Sequence, residues 1–163
     1  MANGDIKILT EGPFGDPGAE VFQVASGGTP PAINPGEPVG YALGQQYAAA
    51  LATSKPVAGT DFLAGISESK SSETASLDGI VRVRKLIPGT IYLIKPKVAT
   101  TWNTQAKYNA LVGARVTFDL TSGAYTINST DGATNGLVIE NLDMTKYLGL
   151  VAFSIRTACA YYN

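Results

Sequence analysis

The sequence predicts a small all-β domain, and three observations carry the prediction. Gly (18) and Pro (9) together make up about a sixth of the 163 residues, a little above ordinary usage. From Pro35-Gly36 onward, turns built on Pro-Gly or Gly recur. Each is followed by a short run rich in Val, Ile, Tyr and Phe. Eight or nine such runs in one chain of this length imply a single-domain β-barrel or sandwich around one core.

Residues 1–18 read as an extended N-terminal arm, with 19–163 as the β domain. The arm joins a short alternating run, Ile6-Lys-Ile8-Leu9, to a Gly/Pro-rich tract from Glu11 to Gly18. Two fates are open to it. The run can leave its own domain and add to a neighbour's sheet edge, with main-chain hydrogen bonds supplying affinity, or Ile6 and Ile8 can pair within their own fold.

The expected strands are Ala19 to Ala25, Pro38 to Leu43, Phe62 to Glu68, Gly79 to Ile87, Thr90 to Lys95, Ala114 to Leu120, Ala124 to Ile127, Leu137 to Leu142 and Tyr147 to Tyr161, the last bent or split. Arg115 to Leu120 alternates, with Val116, Phe118 and Leu120 on one face and Arg115, Thr117 and Asp119 on a wet one. Ile91 to Ile94 is apolar on both parities, as expected of a strand covered on both sides. Thr121-Ser-Gly123 is a hairpin loop, and Pro88-Gly89 makes a tight turn. Two short helices are expected: one over Gly44 to Thr53, and one over Asn103 to Leu111 with Trp102, Ala106 and Ala110 on one side. Ser67 to Ser76, small and polar, reads as an exposed loop.

Composition narrows the chemistry. Histidine is absent, which removes Ser-His-Asp catalysis and His-ligated zinc. The single cysteine, Cys159, forms no disulfide framework, and its parity with Val151, Phe153 and Ile155 makes it a buried structural residue. The carboxylate pairs Glu140/Asp143 and Asp131/Asp119 lie at loops and strand ends, where solvated carboxylates are the norm. Asp131 to Gly136 lacks the alternating ligands and terminal Glu of a calcium loop and reads as a turn. No enzyme activity, cofactor or metal is expected.

With Lys+Arg 12, Asp+Glu 13 and a charged fraction of 15%, the surface is weakly charged. It carries no electrostatic footprint for nucleic acid or anionic membrane. A 45% hydrophobic fraction beside so few charges suggests that part of the surface is covered by a partner. The one basic cluster is Arg82, Arg84 and Lys85; strand alternation puts both arginines on one face, suited either to acidic groups of a partner or to plain solvation. Tyr161 and Tyr162, at the carboxy end, are good contact residues or pack on their own domain. No signal peptide or membrane-spanning run is read from the sequence, so synthesis in a cytosol is expected.

Ile33-Asn-Pro-Gly-Glu-Pro-Val-Gly40, Phe62-Leu-Ala-Gly-Ile66, Gly79-Ile-Val-Arg-Val83, Gly113-Ala-Arg-Val-Thr-Phe-Asp119 and Tyr147-Leu-Gly-Leu-Val151, in that order, resemble the capsid decoration (cement) proteins of tailed bacteriophages. The resemblance implies a β-tulip-like or related barrel on the outside of the virion head. It implies homotrimers or clusters bound to the major capsid protein and clamping neighbouring capsomers, with no catalytic residue and synthesis in the host cytoplasm. Ile6, Ile8 and Leu9 are then the part placed like segments that pair with capsid protein, and Arg82, Arg84, Trp102, Tyr161 and Tyr162 complete the expected contact set. The alternative is a receptor- or carbohydrate-binding β module of a phage tail or cell surface, stacking sugars on Trp102, Tyr108 and loop tyrosines.

Overall fold

The computed structural model describes residues 6–10, 18–51, 54–121 and 124–160, and it is an all-β domain. Its strands are β1 (Lys7–Thr10), β2 (Ala19–Val24), β3 (Pro38–Ala42), β4 (Ala49–Ala50), β5 (Asp61–Ser67), β6 (Gly79–Lys85), β7 (Ile91–Ile94), β8 (Arg115–Thr121), β9 (Ala124–Asn128), β10 (Leu137–Ile139) and β11 (Val151–Ile155), with one helix, α1 (Gln105–Asn109). They form a six-stranded sheet in the order β1-β7-β11-β10-β8-β9 and a five-stranded sheet in the order β2-β6-β5-β3-β4.

Both sheets curl until distant strands meet, as twisted antiparallel sheets do when closure removes their edges. In the larger, the chain continuing from β7 reaches β9: Ile127 donates to the Lys95 carbonyl at 3.1 Å and its own carbonyl accepts from Lys97 at 2.8 Å. In the smaller, Ala48, just before β4, donates to the Gln23 carbonyl of β2 at 2.8 Å. Each curl encloses an apolar cluster. The larger holds Tyr92, Phe118, Phe153, Ile127 and Leu137 among others; the smaller holds Phe22, Val24, Ile33, Val39, Ala64, Val81 and Val83.

β5 is the wall between them. Leu63 belongs to the larger cluster and its neighbour Ala64 to the smaller, and both are buried. Alternation of side chains across the pleat makes this possible. Gly65 lies so close to β6 that a Cβ there would fall on the Arg84 carbonyl, which explains a glycine inside a strand.

Several expectations are corrected. The strand of the expected arm, β1, lies on β7 of its own chain, pairing Lys7 with Leu93 and Ile8 with Tyr92; of its two open fates, pairing within the fold is the one observed. The Gly/Pro tract between β1 and Gly18 lies outside the described residues. No helix forms over the described part of Gly44 to Thr53. Gly44 turns the chain at φ +82°, and Ala49 and Ala50 pair with Gly40 and Val39, so sheet pairing overrides alanine's helix propensity. The second helix is shorter than expected: Thr104 caps it by accepting from the Lys107 N–H at 3.3 Å, Tyr108 is its buried residue, and Ala106 and Ala110 are exposed.

The face of β8 expected to be wet is covered. Thr117 and Asp119 are buried while Leu120 is exposed, because the segment that closes the larger sheet brings Lys97 within 2.8 Å of the Asp119 carboxylate. The polar stretch Ser67 to Ser76 is no free loop either, for Ser67, Ser71 and Glu73 are buried. It runs between β6 and the segment before β3: Ser72 donates to Ile80 and Ser71 to Ile33, both at 3.0 Å. Its small side chains let main chains approach closely, and at Gly79 a Cβ would fall on the backbone of Glu73. Pro88-Gly89 is a turn, and it carries the chain from one sheet to the other. Cys159 is buried as expected, in a single 3-10 turn (Thr157–Cys159) after β11.

Candidate functional site

β6 sets the geometry of the outer surface. Val81 and Val83 point into the smaller core, so Ile80, Arg82 and Arg84 point outward. Its partner β2 places Gln23, Val21 and Ala19 opposite them. Val21 and Ile80 are 56% and 51% exposed, large apolar side chains standing beside two arginines on one face.

Both arginines are held by one carboxylate. The Arg82 Nε donates to one oxygen of Glu68 at 3.0 Å and the Arg84 Nε to the other at 2.8 Å. Burial pushes the Glu68 carboxyl up, but these two guanidinium hydrogen bonds and their charges outweigh it and hold the carboxyl below its ordinary range. Lys85 pairs with Glu20 alongside. The intramolecular partner Glu68 is a residue the sequence reading missed; a carboxylate on the strand-like run before Arg82 and Arg84 was the available signal.

A cleft of about 170 Å³ opens where the two sheets meet. Ile6, just before β1, Ile66 of β5, Leu86 and Tyr92 give it apolar walls, and Glu68, Arg84 and Lys85 sit at its charged side. The Tyr92 hydroxyl accepts from the Ile87 N–H at 3.0 Å, which fixes the ring. Ser67 also lines the cleft, but its hydroxyl is engaged with the Asn34 carbonyl and the Glu37 N–H. The arrangement can bind; it has no paired acid and base.

Of the expected contact residues, the structure brings Ile6 and Arg84 into this one cleft, with Arg82 next to it on the outer face. Leu9 packs half-buried against the larger core, and Ile8 pairs with Tyr92 through its backbone. Trp102 is not a surface residue. It is 1% exposed, with its ring centroid 5.8 Å from that of the buried Tyr108. Tyr161 and Tyr162 lie outside the described residues.

The carboxylates weighed as acid/base pairs go to separate partners. Glu140 accepts from Ser154 and Asp143 from Thr145. Asp131 accepts from the Arg115 N–H at 2.7 Å, and Asp119 pairs with Lys97. Gly132 and Asn135 close a turn at 2.9 Å, as the sequence of that loop suggested. Among the described residues no cluster of three or more Cys, Asp or Glu side chains is placed to hold a metal ion, and no helix is long and apolar enough to cross a membrane. Comparison with known proteins finds no matching family model, no matching curated protein and no matching solved structure.

Proposed function

We propose that the chain is a structural decoration protein of a tailed-phage head, bound to the major capsid protein on the outside of the shell as trimers or clusters and stiffening contacts between capsomers. The observation that carries the reading is the outer face of β2 and β6, where Val21 and Ile80 stand more than half exposed beside Arg82 and Arg84 on a strand framework closed at two places. Such a face supports static association, in which many modest contacts repeated over a lattice add up.

The segments that resemble cement proteins also fall on the framework. Ile33 to Gly40 leads into β3, Phe62 to Ile66 lies in β5, Gly79 to Val83 opens β6, Gly113 to Asp119 enters β8 and Tyr147 to Val151 enters β11. Of the rings the sugar-binding alternative would use, Trp102 and Tyr108 are both buried.

The test is the abundance of this chain relative to the major shell protein in purified particles, measured by quantitative mass spectrometry. Near-stoichiometric abundance is the expected result. A few copies per particle, or none, overturns the reading.

A further inference from the structure

We propose that Asn135-Gly136 is a self-modification site, at which the asparagine loses its side-chain amide by succinimide formation, and that the folded chain holds this site shut. The inference stands on the loop before β10 and does not rest on the proposed function.

The reaction needs only water. The Gly136 nitrogen attacks Cγ of Asn135; a C–N bond forms, the Cγ–Nδ2 bond breaks, and Nδ2 leaves as ammonia with the proton that Gly136 gives up. Water then opens the succinimide ring at either carbonyl and leaves aspartate or isoaspartate, with nothing oxidised or reduced. A glycine nitrogen is the least hindered backbone nucleophile, since no Cβ stands beside it.

In the fold the reacting groups have other partners. The Gly136 N–H donates to the Pro56 carbonyl at 2.9 Å, which ties the nucleophile. Nδ2 of Asn135 donates to the carbonyls of Arg115 and Thr130 at 2.9 and 3.1 Å, which ties the leaving group. The ring cannot close without giving up these three bonds. Others hold the loop around them. Nη1 of Arg156 donates to the Ala133 and Asn135 carbonyls at 3.0 and 2.7 Å, the Arg156 N–H to the Gly136 carbonyl at 3.0 Å, and the Ala58 N–H to the Thr134 carbonyl at 2.7 Å. Conversion therefore belongs to molecules whose loop has opened.

The same packing explains why the reactive pair is there. A Cβ at Gly136 would fall 2.5 Å from the Cys159 sulfur and 2.8 Å from the Pro56 carbonyl oxygen, so glycine is what fits. At 135 two carbonyls call for a short side chain with two N–H donors, which asparagine supplies. Conversion removes those donors. Aspartate turns acceptor oxygens towards two carbonyls, and isoaspartate also lengthens the main chain by a methylene at the Val57–Asn135 bridge. A converted loop is thus left with unpaired carbonyls and recloses less well.

The test incubates the full chain at mildly alkaline pH, folded in buffer and unfolded in urea. Residue 135 is followed by peptide mapping with fragmentation that separates aspartate from isoaspartate. Asn3-Gly4, the other Asn-Gly pair of the sequence, is the internal reference in urea. Similar rates at Asn3 and Asn135 are expected in urea, and a rate at Asn135 lower by about tenfold or more in the folded chain. Arg156→Gln removes two of the bonds that close the loop and is expected to speed conversion of Asn135 by about tenfold in the folded chain but not in urea. Asn135→Asp, the product made directly, is expected to lower the urea midpoint. Equal rates at Asn135 in the folded and unfolded chain overturn the inference, as does an Asn135 that stays intact in urea while Asn3 converts. An Asn135→Asp midpoint equal to that of the unaltered chain overturns the role given to the two carbonyls.

Discussion

The hydroxyl of Tyr108 accepts the N–H of Ala152 at 2.9 Å while donating to the Glu140 carbonyl at 2.9 Å. The next bond along is direct, from the Glu140 N–H to the Ala152 carbonyl, also at 2.9 Å. The side chain of α1 thus supplies one rung of the β10–β11 ladder just past the end of β10. Tyr108→Phe leaves a buried donor and a carbonyl without that bridge. The expected loss is about 1–3 kcal/mol, read as a lower urea midpoint with an unchanged denaturant slope.

Alkaline pH should weaken the fold through two buried phenols. Burial foremost pushes Tyr108 and Tyr125 from 10.0 up to about 12, with the charges of Glu140 and Glu37 adding to it. A group whose folded value is raised contributes stability that is complete below its unfolded value and is lost as pH rises towards the folded one. The loss therefore falls between pH 10.0 and about 12 and amounts to ~3 kcal/mol for each phenol. Thermal midpoints across that range should drop steeply, and Tyr125→Phe should flatten the drop.

Acid acts through carboxyls with the opposite sign. Burial pushes Glu73 up, but the Ala32 N–H, the Ser71 hydroxyl and its own N–H outweigh it and hold the group below its ordinary value, as the two guanidiniums do for Glu68. A depressed carboxyl contributes stability above the unfolded value of about 4.3, lost as pH falls through the folded one. Unfolding free energy should decline from just above pH 4 downward. Glu73→Gln should be less stable at neutral pH and show a shallower acid slope.

Deleting Met1 to Gly18 should destabilise the protein. β1 pairs with β7, and Ile6 and Leu9 pack half-buried against the larger core, so the expected cost is about 2–3 kcal/mol for two partly covered aliphatic side chains. A denaturation midpoint equal to that of the full chain would show that β1 adds no net stability.

Trp102 gives an optical check. At 1% exposure its emission should be blue-shifted and resistant to acrylamide, and added sugars should leave it unchanged. A red, readily quenched emission would contradict its burial.

Strand positions were legible in the sequence because Val, Ile, Tyr and Phe between glycine turns describe a pleated surface locally. Sheet membership was not. Ala49 and Ala50 carry no strand signal of their own and become β4 only because Val39 and Gly40 lie opposite. Alternation in β8 correctly put Val116 and Phe118 in the core, but the cover over Asp119 includes Lys97, more than twenty residues earlier. In the candidate site, alternation gave the outward direction of Arg82 and Arg84. The cleft itself is built from Ile6, Ile66 and Tyr92, residues that become neighbours only when the two sheets meet.

The shared wall at β5 also divides the two cores unevenly along the chain. Every buried member of the smaller core, from Phe22 to Val83, has been synthesised by the time β6 is complete. The other side of β5 is completed from much further along the chain, since Leu63 is bridged by Ala160. A chain cut before β11 therefore holds every buried member of the smaller core but lacks Val151, Phe153 and Ile155 of the larger one.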